Sequence, residues 1–450
     1  MDEPYDLIVI GTGTAASAAL SKVAKAGWRT AIIDHRPFGG TCALRGCDPK
    51  KMMVSAEEAL AAWRNMLGKG IDGELAIDWP ELVRFKRSFT DPIPAKRAQH
   101  FRNLGAETIH GMARFTGLDT IAVDDRDLKF RHALIATGAR PVPLGISGEE
   151  LVTTSDDFLE LDELPQRILF IGGGYIAAEF SHLAARAGAS VTVLQRGPRL
   201  LTQFDPDLVK LLMGRFDELG ISVCTGIEVA AVRKENSSLQ VTGRGKDGSE
   251  HRFEADLVVH AAGRAPDLDP LDLEAAGIRR DHGKLALTDE LQSTSNERVY
   301  AAGDAAAKGP PLTPVSSHDG HVVAANLLGH GPKTPNYRGV PSAAFTVPAI
   351  TAVGMREDEA REAELRFRVN YASTPDWFSA RRLGETIYGH KVLVEEQTGR
   401  ILGAHLVGPH AEEVINLFGL AIRRGLTAAD LTDAIFAYPT GASDISSMLA

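Results

Sequence analysis

Two cysteines stand close together in Gly39-Gly-Thr-Cys42-Ala-Leu-Arg-Gly-Cys47-Asp-Pro-Lys50. The third and last cysteine of the chain, Cys224, lies in Ile221-Ser-Val-Cys-Thr and reads as a buried small hydrophobe on a strand. Three cysteines do not make a stapled secreted domain, and no second pair completes a four-ligand zinc site, so no resident metal is expected. Two near thiols in such a chain read as redox or catalytic. In a regular helix, residues five apart have Cα atoms about 8–9 Å apart. A disulfide needs roughly 4.4–6.8 Å. Closing one here requires the segment to leave regular helix, and Gly46 and Pro49 suit that. A helix N-terminus beside the pair would lower a thiolate pKa.

Such a pair needs elements to hold it and to bring electrons. Asp6 to Ile10 is an apolar, β-branched run that reads as a buried parallel strand. Gly11-Thr-Gly13-Thr-Ala-Ala16 follows at once, then a helical stretch over Ser17–Ala26 and a strand over Thr30–Ile33 that ends at Asp34. Gly11 permits the tight turn, Gly13 lets backbone approach a pyrophosphate at a helix N-terminus, and Ala16 takes the third small position. Asp34 falls 21 residues after Gly13, where an acid meets a ribose hydroxyl. The unit recurs as strand Arg167–Ile171, turn Gly172-Gly-Gly174-Tyr175-Ile-Ala177, helix Ala178–Ala187 and strand Val191–Leu194. Gly172 lies 161 residues beyond Gly11, and the position equivalent to Asp34 holds Gln195, followed by Arg196 and Arg199. An acid there would repel a 2′-phosphate, whereas a neutral Gln among arginines accepts one. The two units should therefore bind different nucleotides, the second preferring NADPH, with NADH as its second candidate.

A chain of 450 residues exceeds one core and implies two or three domains. Its 44% apolar and 24% charged residues are ordinary for a globular protein. A net charge of −10 argues against nucleic acid as partner. No apolar run reaches the roughly 18–20 residues of a membrane helix. The Met-Asp-Glu-Pro start has no basic region of a signal peptide, so a cytoplasmic location is expected.

With these features in place, the chain resembles the class I flavoprotein disulfide reductases over nearly its whole length. Besides the two Gly-rich turns and the cysteine pair, the likeness rests on Ala136-Thr137-Gly138, Ala262-Gly263-Arg264, Tyr300-Ala-Ala-Gly303-Asp304, Leu312-Thr313-Pro-Val315, Phe345-Thr-Val-Pro348 and Ile401–Gly408. The resemblance implies an α/β fold with two Rossmann-like nucleotide-binding domains, for FAD and NAD(P), and an α+β C-terminal dimerisation domain. It places FAD over 1–150 and 270–335, NAD(P) over 151–269 and the homodimer interface over 336–450. Gly40, Thr41, Thr137, Gly138, Gly303, Asp304 and Thr313 join the cofactor-binding set, as do Gly263 and Arg264. The resemblance further implies electron flow from NADPH through FAD to Cys47, with Cys42 as interchange thiol. Tyr175 would gate the nicotinamide pocket, and Lys50 and Glu179 would form an ion pair beside the flavin.

The sequence also departs from that pattern. Disulfide-reducing members carry a C-terminal His-Pro-Thr with a Glu five residues after the His. Here the segment reads Tyr438-Pro-Thr440-Gly-Ala-Ser443-Asp444. Tyr titrates near 10, so Tyr438 is a weak base at neutral pH but an able hydrogen-bond donor. Tyr at this place is similar to mercuric reductase, whose C-terminal cysteine pair has no counterpart in this sequence. Ser21 and His321 occupy the positions where glutathione reductase holds its substrate with arginines, and Leu44, Arg45 and Asp48 are unusual around the pair. His318 and His321 are offered as substitute acid–base groups or as solvated, capping histidines. The function expected is an NADPH-preferring reductase that passes electrons through Cys42 and Cys47 to a small disulfide or soft metal ion. The alternatives are a flavin-level quinone reductase (a diaphorase) that does not need the cysteines, and a nucleotide-binding scaffold without turnover. In the expected homodimer, Tyr438 completes the site of the other copy.

Overall fold

A computed structural model describes residues 3–450, which divide into two compact units. The first comprises residues 3–50, 85–142 and 264–337. Its strand Tyr5–Ile10 has Leu7, Ile8 and Val9 fully buried, so both sheet faces are covered. Unalternating burial of this kind belongs to a parallel sheet. The strand pairs in parallel with Thr30–Asp34 on one side and Arg126–Ile135 on the other. Glu107–His110 and Val299–Ala301 extend the parallel part, and a meander through Thr120–Val123 and Ala113–Gly117 completes seven strands. Helix Thr14–Lys25 runs off the first Gly-rich turn and packs on helix Thr313–Leu327. A Cβ at Gly320 would meet Ala15 O at 2.3 Å, which shows how closely the two helices approach.

The second unit comprises residues 51–84, 143–263 and 338–450. It holds a second parallel sheet, in the order Ser222–Thr225, Ser190–Gln195, Arg167–Ile171, Leu257–His260. A three-stranded antiparallel sheet over residues 227–255 follows. A five-stranded antiparallel sheet, drawn from residues 342–408, is covered by helix Ala411–Arg424. That helix buries Val414, Ile415, Phe418, Ala421 and Ile422 on one side, the period of an amphipathic helix. The mixed α/β fold expected from the sequence is thus present. Among the described residues no helix is long and apolar enough to cross a membrane.

Candidate active site

The helix-breaking expected between the cysteines falls at Gly46. Helix Gly40–Arg45 ends there, and the 20-residue helix Cys47–Met66 begins one residue later. Gly46 adopts φ −139°, ψ −120°, and a Cβ on it would stand 2.9 Å from Thr41 O. Cys47 therefore occupies the first position of a long helix, where unpaired N–H groups favour a negative charge. Both cysteines are free, with no bond between the sulfurs. The hydrogen bond between the two sulfurs lowers the Cys47 pKa to about 6. Thr313 Oγ1 is 3.4 Å from Cys47 Sγ, and Lys50 also favours the thiolate there. Cys42 moves the opposite way, because a proton shared with Cys47 and partial burial both hold it as a thiol. Its sulfur lies 3.8 Å from Asp48 Oδ1. The pair is thus polarised, thiol at 42 and thiolate at 47.

The same unit presents a nucleotide cradle. Gly11 has φ +104°, and a Cβ there would strike Ala136 O at 2.2 Å, so only glycine closes this turn. Gly13 forms the N-cap of helix Thr14–Lys25 with no side-chain cap, and Ala16 is fully buried behind it. Asp34 accepts from Thr12 N at 3.0 Å, Thr12 Oγ1 at 2.6 Å and Arg36 N at 2.9 Å. A carboxylate has about four acceptor positions, so the ribose contact expected of Asp34 has one left to use. Gly40 packs on Gly13, and half-buried Thr41 follows it. Thr137 Oγ1 is buried without a partner, next to Gly138 at φ +72°. The Gly303 N–H is held by Asp319 at 3.1 Å, and burial raises the Asp304 carboxyl against the pull of Arg264. Arg264 donates to Ala139 O. An orphaned hydroxyl, an uncapped helix start and a half-buried carboxyl in one unit fit a bound dinucleotide with pyrophosphate and hydroxyls. His318 accepts from Asn336 N at 3.0 Å, tying its helix to the loop that follows and capping no helix, and exposed His321 is lowered by partial desolvation.

The second unit repeats the cradle with different chemistry. Gly172 has φ +114°, and its Cβ would strike Ala261 O at 2.2 Å, the geometry of Gly11 again. Gly174 caps helix Tyr175–Arg186, and the space before it is open. Tyr175 stands edge-on to Phe204 at 5.5 Å, and burial raises its hydroxyl. Gln195 Nε2 donates to Arg199 O at 3.3 Å. Arg199 spends its guanidinium on the carbonyls of Leu200, Leu201, Thr202 and Phe204, while Arg196 stands exposed. Gly263 sits at φ +113° in the segment before Arg264. Buried Glu179 accepts Phe345 N at 2.8 Å.

Sequence reasoning missed a buried polar face on the same helix. His182 and Arg186 follow Glu179 at helical spacing and are buried with it. Arg186 Nε donates to Glu57 at 3.0 Å and its Nη2 to Val347 O at 3.0 Å. Burial raises the Glu57 carboxyl to about 8 despite Arg186. Three polar residues spaced three and four apart in an apolar helix were the available signal. At the C-terminus, Tyr438 is 78% exposed and stacks on Phe378. Ser443 caps its own turn through Thr440, and Asp444 accepts from the Tyr388 hydroxyl at 2.8 Å. Cys224 lies on a strand, as expected, but is half-buried where a buried residue was expected.

The chain matches the pyridine nucleotide-disulphide oxidoreductase family over residues 5–320, and that family's dimerisation domain over 340–449. A mercuric reductase of Staphylococcus aureus is 35% identical over 99% of this chain and 82% of that protein. A dihydrolipoyl dehydrogenase of Haloferax volcanii is 32% identical over 97% and 93%. The HOCl-induced flavoprotein disulfide reductase RclA of Escherichia coli, solved as a Cu(II) complex, superposes with a TM-score of 0.89 at 27% identity, covering 100% of this chain and 99% of that one. Members of this family are FAD-dependent enzymes with NAD(P)H as electron donor. Two built nucleotide cradles, a polarised cysteine pair and matches spanning nearly every residue agree: the chain belongs to the pyridine nucleotide-disulphide oxidoreductases.

Proposed function

We propose that this enzyme takes electrons from NAD(P)H, NADPH preferred, and delivers them through Cys42 and Cys47 to a small-molecule acceptor, a disulfide or a soft metal ion. The observation that carries this reading is the cysteine pair set on either side of the Gly46 break, with Cys47 at a helix start beside Thr313 and Cys42 beside Asp48. FAD, held by Gly11, Gly13, Ala16, Asp34, Gly40, Thr41, Thr137, Gly138, Gly303, Asp304 and Thr313, supplies the two-electron relay between nicotinamide and sulfur. The chain's own residues do the rest. Cys42 gives its proton to the Cys47 thiolate and attacks one sulfur of a disulfide acceptor as a thiolate, and the acceptor thiolate released takes that proton back from Cys47. Cys47 then attacks Cys42, closing the 42–47 bond and releasing the second thiolate. The cysteines lose two electrons and the acceptor gains them. Arg196 and Gln195 would receive the 2′-phosphate, and Gly172, Gly174, Tyr175 and Gly263 would shape the nicotinamide nucleotide site. Lys50 and Glu179 are proposed as the charged pair flanking the relay. Tyr438 is proposed to donate a hydrogen bond into the site of a second copy.

This reading includes the division into an FAD domain (1–150 and 270–335), an NAD(P) domain (151–269) and a dimer domain (336–450), and a cytoplasmic setting, where thiols stay reduced. The test is turnover of Cys42→Ser and Cys47→Ser with NADPH and a panel of disulfides. Loss of about a thousandfold or more in kcat is expected for both, the scale seen when a nucleophile is removed. Turnover that survives Cys42→Ser would assign the enzyme to flavin-level reduction of quinones instead.

A further inference from the structure

Asp48 is exposed, occupies the second position of helix Cys47–Met66 and directs Oδ1 to within 3.8 Å of Cys42 Sγ. It is thereby the near neighbour of the sulfur that must meet the acceptor. Lys50, on the same helix turn, favours the thiolate of Cys47, and Thr313 Oγ1, 3.4 Å from Cys47 Sγ, hydrogen-bonds both sulfurs. The neighbours of Cys42 are thus Cys47, the Thr313 hydroxyl and the carboxylate of Asp48, and Asp48 is the one among them that carries a fixed negative charge of its own.

We infer that Asp48 is a specificity-determining residue that makes the site take neutral or cationic small disulfides in preference to those bearing carboxylates. The inference rests on the cysteine relay proposed above and names the acceptor class of that same site. An attacking sulfur must approach the acceptor sulfur to about 3.5 Å. Charges carried three or four bonds beyond that sulfur then lie within a Debye length of Asp48, roughly 8–10 Å at ordinary ionic strength, and are poorly screened. Ammonium groups on the acceptor gain from the Asp48 charge, and carboxylates lose to it. The electron balance is that of the relay. Cys42 thiol, Cys47 thiolate and acceptor disulfide become the 42–47 disulfide, one thiol and one thiolate, and NAD(P)H restores the pair.

The experiment is steady-state NADPH-dependent reduction by the holoenzyme of cystamine, 2-hydroxyethyl disulfide and 5,5′-dithiobis(2-nitrobenzoate), which carry two ammonium groups, no charge and two carboxylates. Each kcat/KM is divided by that for the neutral acceptor, and Asp48→Asn is compared with wild type, so that intrinsic disulfide reactivity cancels. The substitution is expected to raise the dicarboxylate ratio about tenfold and lower the cystamine ratio about tenfold, as for one unit charge at partly screened range. Asp48→Glu should keep the wild-type ratios, and added salt should shrink the wild-type spread. Both ratios unmoved by Asp48→Asn would overturn the inference while leaving the relay intact. Reduction of all three acceptors surviving Cys42→Ser would instead remove the relay on which it rests.

Discussion

At the scale of single residues, the chemistry turns on where one proton and one phosphate are held. Cys47 is lowered to about 6, first by the hydrogen bond with Cys42. A lowered acid is charged above its pKa, so the thiolate signature of the reduced enzyme, its long-wavelength absorbance against flavin, should grow as pH rises through about 6. A midpoint near the ordinary thiol value, roughly 8.5, would contradict the polarised pair. For the nucleotide, Gln195→Glu should lower kcat/KM for NADPH about tenfold relative to NADH, or about 1.4 kcal/mol, measured by parallel initial rates. Arg196→Ala should shift the ratio the same way. Arg199→Ala should lower the melting temperature instead, because its guanidinium closes four loop carbonyls. The contrast of Asp34 with Gln195 was legible because register within a repeated unit fixes which residue ends the second strand. The division of labour between Arg196 and Arg199 was not legible, since both follow the strand and only the folded loop brings carbonyls to one of them. Thr313 was placed at the cofactor from its motif, yet its contact with Cys47 joins residues 266 positions apart, beyond any local pattern.

At the scale of elements, the Gly-rich turns read correctly because each is a backbone requirement. Gly11→Ala would place a Cβ against Ala136 O at a φ that alanine resists, and should give protein without bound flavin, read from its visible spectrum. The break at Gly46 was legible on the same ground: a disulfide-competent pair cannot sit five apart in regular helix. The link from helix Cys47–Met66 to helix Tyr175–Arg186 was not legible. It is made by Glu57 and Arg186, 129 residues apart and both almost wholly buried. Removing one member of a buried pair strands the other charge, so Glu57→Ala should cost about 3–5 kcal/mol in denaturant unfolding above about pH 8, where the raised carboxyl is ionised. Glu57→Ala with Arg186→Met should recover much of that loss. Equal losses in the single and double variants would show that the pair is not what holds the helices.

At the scale of the whole molecule, the sequence repeat 161 residues apart became two parallel sheets with matching turns. That likeness was legible because a strand–turn–helix unit is specified locally. The assembly surface was less so. Ile435, Tyr438, Phe378 and Leu420 stand exposed on the chain carrying the family's dimerisation domain. Phe378 and Tyr438 stack on each other there, and a joined apolar patch left in water marks an interaction surface. Sedimentation should accordingly give twice the chain mass, and Ile435→Asp should shift it toward the monomer. The most direct test of the account is anaerobic titration of the purified enzyme with NADPH, followed by absorbance. A dithiol in series with the flavin predicts uptake of about two equivalents, with a long-wavelength thiolate band appearing after the first. Full bleaching of the flavin by one equivalent, with no such band, would contradict it.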